Sequence, residues 1–165
     1  MQKSVTEFVT SRTYAVPRET MWKAWTERDR FEQWWGPKGF KAELHKFEPK
    51  PGGICHYRLT SPQGQEMWGK FIYQEVDPPH RLLFVSSFSD PEENVTVHPM
   101  APDWPLRTLT EVTFEEKDGR TTVTVHWTPI DPTEKQRQTF EDGRKSMEGG
   151  WSGTFDQLGD YLARA

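Results

Sequence analysis

The residues of this 165-residue sequence best suited to nucleophilic, acid–base or metal chemistry are one cysteine and five histidines, and their spacing argues against most of that chemistry. No two of His45, His56, His80, His98 and His126 stand two or four residues apart. Those separations place two ligands on one face of a strand or helix, so no metal site is expected. Cys55 and His56 are adjacent in a strand-like run. They therefore face opposite sides of a sheet and make a poor nucleophile–base pair, and Cys55 reads as a small buried hydrophobe. The glycines of KPGG precede a strand rather than a helix, as turn residues do, and no phosphate-cradling loop is present. The sequence assigns no catalytic residue and no cofactor. The polar groups that remain candidates for an interior are Glu48, Tyr57, Arg58, Glu66, Tyr73, His126, Arg144 and Glu148. Tyr57 alternates with Cys55 and Leu59 on the more apolar strand face. Arg144 falls inside an apolar helical stripe, where a buried guanidinium would need a carboxylate from Glu48, Glu66 or a ligand.

Something must enclose such groups, and the composition says what it is made of. Eight Trp, ten Phe and four Tyr stand against eight Leu, three Ile and ten Val, in a chain whose mean hydropathy is only −0.87. A core built from rings buries much area per side chain and packs directionally. The net charge of −4 gives no basic footprint for nucleic acid. No apolar run reaches membrane-spanning length, the N-terminal MQKSVTEFVTSR lacks the apolar stretch of a secretion signal, and a single cysteine forms no internal disulfide. A cytoplasmic location, with no nucleic-acid partner and no membrane insertion, is the expectation.

The elements that position the rings follow from periodicity and punctuation. Residues Val5 to Val16 read as a strand ending at Pro17. In PRETMWKAWTERDRFEQWW the apolar residues Met21, Trp22, Trp25, Phe31, Trp34 and Trp35 recur at helical spacing. This predicts two short helices broken near Glu27 to Asp29, with Asp29 as cap and Gly36-Pro37 as stop. Strands are predicted over Phe40–Phe47, Ile54–Thr60, Met67–Val76, Arg81–Phe88, Leu106–Glu116 and Thr121–Thr128, with KDG as a hairpin turn. Ser89 to Pro105, rich in proline and acid, is a long excursion without a period. From Asp131, the run Asp-Pro-Thr-Glu signals a helix start with Asp131 as cap. The stripe Phe140, Met147, Trp151, Phe155, Leu158 and Leu162 follows. Gly143, Gly149, Gly150, Gly153 and Gly159 interrupt this helix, which means either close approach to the sheet or deliberate empty space.

The order strand, two short helices, antiparallel strands and long helix resembles the helix-grip fold of the START-like superfamily. The segments SRTYAVPRETMWKAWTERDRFEQWWGPKGF, KPGG, GKFIYQEVDPPHRLLF, TLTEVTFEEKDGRTTVTVHWTP and GGWSGTFDQLGDYLA are similar to successive signatures of its heat-shock protein 90 ATPase activator-like family. The resemblance implies one α+β domain over residues 1–165: a curved antiparallel sheet wrapped around the C-terminal helix, with two short helices after the first strand and a cavity between sheet and helix. The expected function is binding of a small, largely apolar molecule there. Trp34, Trp35, Tyr57, Trp68, Trp127, Arg144, Met147, Trp151 and Phe155 are the candidates to line the site. Of the adjacent tryptophans, Trp34 is expected in the core, sharing a face with Phe31, and Trp35 at a rim. Two other readings remain open. One is a co-chaperone-like module that meets a protein partner, or a second copy as a homodimer, through exposed Trp34, Trp35 and Trp104. The other is a cyclase- or hydrolase-like enzyme using the same cavity.

Overall fold

In the computed structural model, which describes residues 6–99 and 101–164, alternation and turn chemistry place eight strands in one antiparallel sheet. They are β1 (Phe8–Tyr14), β2 (Lys41–Phe47), β3 (Ile54–Thr60), β4 (Glu66–Asp77), β5 (Arg81–Ser89), β6 (Val95–Thr96), β7 (Thr108–Lys117) and β8 (Arg120–Pro129). The order across the sheet is β1-β8-β7-β5-β4-β3-β2, with β6 pairing β5 as a short extra strand. The β7–β8 hairpin turns at Asp118 and Gly119, both at positive φ, the geometry that a two-residue Asp-Gly loop favours. The first predicted strand is shorter than expected at both ends of its range, and Val5 lies outside the described residues.

Helices α1 (Arg18–Thr26) and α2 (Arg28–Phe31) follow β1. The cap of α2 is Glu27 rather than Asp29, because the chain leaves α1 at Glu27 in an extended conformation and re-enters a helix at once. The C-terminal helical region is two helices, α3 (Glu134–Asp142) and α4 (Arg144–Arg164), broken at Gly143. Its start also differs from expectation. Asp131 adopts positive φ, and Thr133 instead forms a capping box with Gln136, satisfying two backbone donors at once.

Successive strand residues alternate between a wet outer face and an inner face that carries Phe8, Tyr14, Phe71, Phe84, Val112, Phe114, Val123 and Val125, all buried. Helix α4 crosses this inner face with Met147, Trp151, Phe155 and Leu158 turned to it. It is tied down by the Tyr14 hydroxyl, which donates to the Phe155 carbonyl (2.8 Å), and by an Arg12–Asp156 ion pair. No helix of the described residues is long and apolar enough to cross a membrane.

Candidate functional site

The segment Trp34-Trp35-Gly36-Pro37 joins the short helices to the sheet, and α4 holds it by its backbone. The Gln157 amide donates to the Trp34 and Gly36 carbonyls (3.1 and 2.8 Å) and accepts from the Gly39 N–H (3.1 Å). Gly36 has φ +113°, and a Cβ there would lie 2.9 Å from Leu59, so only glycine fits this turn. With the turn fixed, both rings point inward. Trp34 is 1% exposed, donates its indole N–H to the Ala24 carbonyl (3.0 Å), and packs against Trp25 and Phe31. Trp35, 8% exposed, touches Phe31, Tyr57, Phe71 and Trp151.

Beyond Trp35 the interior is hollow. A cavity of about 300 Å³ lies between the sheet and α4. The inner face supplies Tyr57, Leu59, Met67, Phe71, Phe84, Ser86, Phe88, Thr108, Thr110 and Trp127 as its floor, and α4 supplies Met147, Gly150, Trp151 and Thr154 as its roof. Ser146, which is exposed, stands at the rim. The remaining wall comes from the long excursion, whose residues His98, Trp104 and Pro105 close over the space. His98 packs on Phe88 (4.5 Å between ring centres), and Trp104 packs on Phe140 and Trp127.

Glycines determine where the roof touches and where it stands clear. A Cβ on Gly143 would meet the Trp104 ring at 3.1 Å, and one on Gly153 would meet the Lys38 backbone nitrogen at 3.1 Å. Both are close approaches. A Cβ on Gly150 would meet nothing within 4 Å, so this glycine borders open space in the cavity. Both explanations of the helix's glycines hold, at different positions.

Among the described residues no Asp, Glu, Lys or Arg borders the cavity. Its polar groups are the hydroxyls of Ser86 and Thr110, bonded to each other at 2.9 Å, together with Thr108, Thr154, Tyr57 and His98. Burial pushes the Tyr57 phenol well above its ordinary range, with the Cys55 sulfur nearby adding to the shift, so the phenol stays protonated. Burial also lowers the His98 pKa, favouring neutral imidazole. Cys55 is fully buried beside Tyr73, and desolvation raises its thiol far above the range in which a thiolate nucleophile forms. Among the described residues no group of three or more His, Cys, Asp or Glu side chains is placed to hold a metal.

Of the residues proposed from sequence, Trp35, Tyr57, Trp127, Met147 and Trp151 come together around the cavity. Trp68 borders it, but its ring lies on the outer face, stacked on His56 and beside His45 and Arg58. Trp34 and Phe155 are core residues that the cavity does not reach. Arg144 is placed outside. It is the first residue of α4, and its long side chain reaches away from the cavity to pair with Glu141 one turn back and donate to the Glu7 carbonyl (2.7 Å). Glu48 and Glu148 are exposed, Glu66 pairs with Arg58 on the outer face, and His126 lies 3.8 Å from Glu7. With Trp34 and Trp35 inside, the expected surface of exposed aromatics is lost. Among the described residues the exposed large hydrophobics are Val9, Val97 and Leu106. Sequence reasoning missed Ser86, Thr108 and Thr110. Their signal was present: they are hydroxyl residues at inward positions of strands whose other inward positions are Phe84, Phe88, Val112 and Phe114.

Comparison with known proteins supports the same fold. A crystal structure of a protein from Mycobacterium smegmatis shares 26% identity with the chain and superposes with a TM-score of 0.78 over 96% of this chain and 91% of that one. A solution structure of a Staphylococcus epidermidis protein is also 26% identical, with a TM-score of 0.75 over 99% and 93%. One from Arthrobacter aurescens, 23% identical, reaches 0.83 over 99% and 91%, a likeness of fold. No curated protein sequence matches the chain significantly. The family pattern described as "Activator of Hsp90 ATPase homolog 1-like protein" matches residues 15–163, nearly the whole chain. The helix-grip architecture built around α4 and the match over residues 15–163 make this chain a member of the Hsp90 ATPase activator homolog 1-like family.

Proposed function

We propose that the protein binds one small, uncharged, largely apolar molecule in the cavity beneath α4. Family membership supports a ligand-binding or co-chaperone-like fold, and one observation favours the first: an interior space of about 300 Å³ whose wall, among the described residues, carries rings and hydroxyls but no charged side chain. A volume of this size is at the lower end of small-molecule sites. A charged ligand would lose its hydration on entering without gaining a counter-charge. The burial of Trp34 and Trp35 leaves the protein-interaction reading without the surface it requires.

Titration with two dyes of similar ring system tests this. Neutral N-phenylnaphthylamine is expected to bind one per chain with enhanced emission, and anionic anilinonaphthalene sulfonate to bind at least tenfold more weakly. Gly150→Phe, which places a ring in the open space under α4, is expected to abolish the neutral dye's binding while leaving the melting temperature near that of the parent. Equal binding of the two dyes, or binding that survives Gly150→Phe in a folded variant, overturns the proposal.

A further inference from the structure

Hydrogen-bond accounting around the cavity narrows its ligand. Resting on the binding role proposed above, we infer that the Tyr57 hydroxyl and the Trp35 indole N–H form a donor pair that receives one acceptor oxygen, and that the ligand is a neutral molecule carrying a carbonyl. The indole N–H can only donate. In Trp35 it is buried and makes no well-formed hydrogen bond: it lies beside the Tyr57 hydroxyl oxygen without good donor geometry, and the ring borders the cavity. Its neighbour Trp34, on the same turn, does have a partner in Ala24. A buried donor without an acceptor is uncommon in folded proteins, and of the two indole N–H groups left so among the described residues, Trp25 and Trp35, it is Trp35 that borders the cavity.

Tyr57 supplies the second donor. Its ring meets Trp35 edge-on, with centres 5.9 Å apart, and lies flat over Gly69. A Cβ on Gly69 would come within 2.3 Å of the Tyr57 hydroxyl oxygen, so the phenol occupies the space a side chain would otherwise fill and its hydroxyl is fixed at the end of the cavity near Trp35. The phenol remains protonated because burial disfavours the phenolate, and it therefore offers a proton rather than a charge. A carbonyl oxygen, with two lone pairs, accepts from both groups at once. A neutral amine, with one lone pair, accepts from only one of them, and a hydrocarbon from neither. The opposite floor is already partly satisfied, because Ser86 and Thr110 bond to each other. The polar demand of the cavity is thus concentrated at the Trp35–Tyr57 end.

The test uses propionyl-dimethylaminonaphthalene, a neutral ketone dye, beside dimethylaminonaphthalene, which lacks the carbonyl. The ketone is expected to bind with its infrared carbonyl stretch lowered by hydrogen bonding. Tyr57→Phe keeps the ring over Gly69 and removes only the O–H. It is expected to weaken the ketone about three- to tenfold, the range of a single neutral hydrogen bond, to move the stretch back towards its value in hydrocarbon, and to leave the carbonyl-free dye unaffected. If the ketone binds but its stretch and affinity are the same in Tyr57→Phe, the donor pair is refuted while the cavity reading stands. If Ser86→Ala removes the shift and Tyr57→Phe does not, the assignment to Tyr57 is equally refuted. Failure of both dyes to bind the parent protein overturns the inference together with the reading it rests on.

Discussion

One sheet face is finished in two different ways. Towards the β7–β8 hairpin, under α1 and α2, rings fill it: Trp25 lies within 6.2 Å, centre to centre, of Phe31, Trp34, Trp35 and Phe114, and Trp22 meets Phe114 edge-on. Towards the start of β7 and the end of β8, under the first turns of α4, rings line it and leave a space between them, although Trp127 of the floor meets Trp151 of the roof edge-on (6.1 Å). There the inward positions are Ser86, Thr108 and Thr110, and the helix presents Gly150. Both regions are aromatic, so hydrophobicity alone does not separate them. The difference lies in the residues between the rings. Large side chains interdigitate into a solid core at one end, and small ones leave a void lined with hydroxyls at the other. Trp35 stands at the boundary, with one face in the solid and one at the hollow.

The largest expected effect tests that boundary. Trp34→Ala removes a ring surrounded by others and a buried hydrogen bond, and should cost about 3–5 kcal/mol of stability. Trp35→Ala should cost measurably less, because the face turned to the cavity has fewer atoms to lose contact with. It should nevertheless change dye binding, which Trp34→Ala leaves intact in whatever fraction remains folded. Denaturant unfolding of the two variants measures the first difference and dye titration the second. Equal losses of stability would mean that the solid core extends through Trp35.

A smaller effect compares the two regions along a single helix. Gly150→Ala adds a methyl group into open space and restores helix propensity, so a gain of about 0.5–1 kcal/mol is expected. Gly153→Ala, one turn on, pushes its methyl against the Lys38 backbone. The same propensity gain should there be cancelled or reversed. Thermal melts of the two single variants decide this, and equal gains would show that α4 stands no closer to the Gly36–Gly39 turn than to the cavity.

How much of this contrast was legible beforehand depends on range. The strands, the KDG hairpin and the antiparallel sheet follow from alternation and turn residues, which are local. The aromatic stripe of α4 follows from its period; Trp34 is in the core as expected, but Trp35, expected at a rim, is buried as well. The lining was less accessible. Trp68 and Arg144 were expected inside, but Trp68 is turned out by strand parity, and Arg144, at the first residue of α4, reaches Glu141 and the Glu7 carbonyl instead. Parity would have flagged Trp68, since it sits one residue from Met67 and Gly69, which share Tyr57's face. The close approach at Gly143 is to Trp104, which arrives from a distant excursion with no period of its own.

Arg144, prominent in the sequence as a charge within an apolar stripe, now carries only a small expectation. Its pair with Glu141 is solvent-accessible on both sides, with side-chain exposures of 44% and 37%, and exposed pairs contribute about 0–1 kcal/mol. Arg144→Leu should therefore shift unfolding by no more than that and leave neutral-dye affinity unchanged. A loss of binding in this variant would relocate the site towards the start of α4.

The smallest effect belongs to His98, and it separates the two regions by pH rather than by volume. Packed on Phe88 at the wall of the cavity, the imidazole is partly desolvated and its pKa is lowered. The folded chain therefore holds this side chain neutral at pH values where the unfolded chain has already taken up a proton. Stability rises with pH wherever the unfolded state binds more protons. The contribution of His98 is accordingly level above the ordinary imidazole value of about 6.5 and becomes destabilising as pH falls through that value towards the lowered one. Since the ring is only partly withdrawn from water, the change is modest. His98→Phe keeps an apolar ring against Phe88 and removes the titration. Unfolding curves of the parent and this variant across the weakly acidic range should diverge, with the parent losing stability faster as the solution is acidified, while Trp34-region substitutions leave that difference untouched. Parallel curves would mean that the excursion leaves His98 as well hydrated as it is in the unfolded chain, and that the hollow end is open to water at the Phe88 wall.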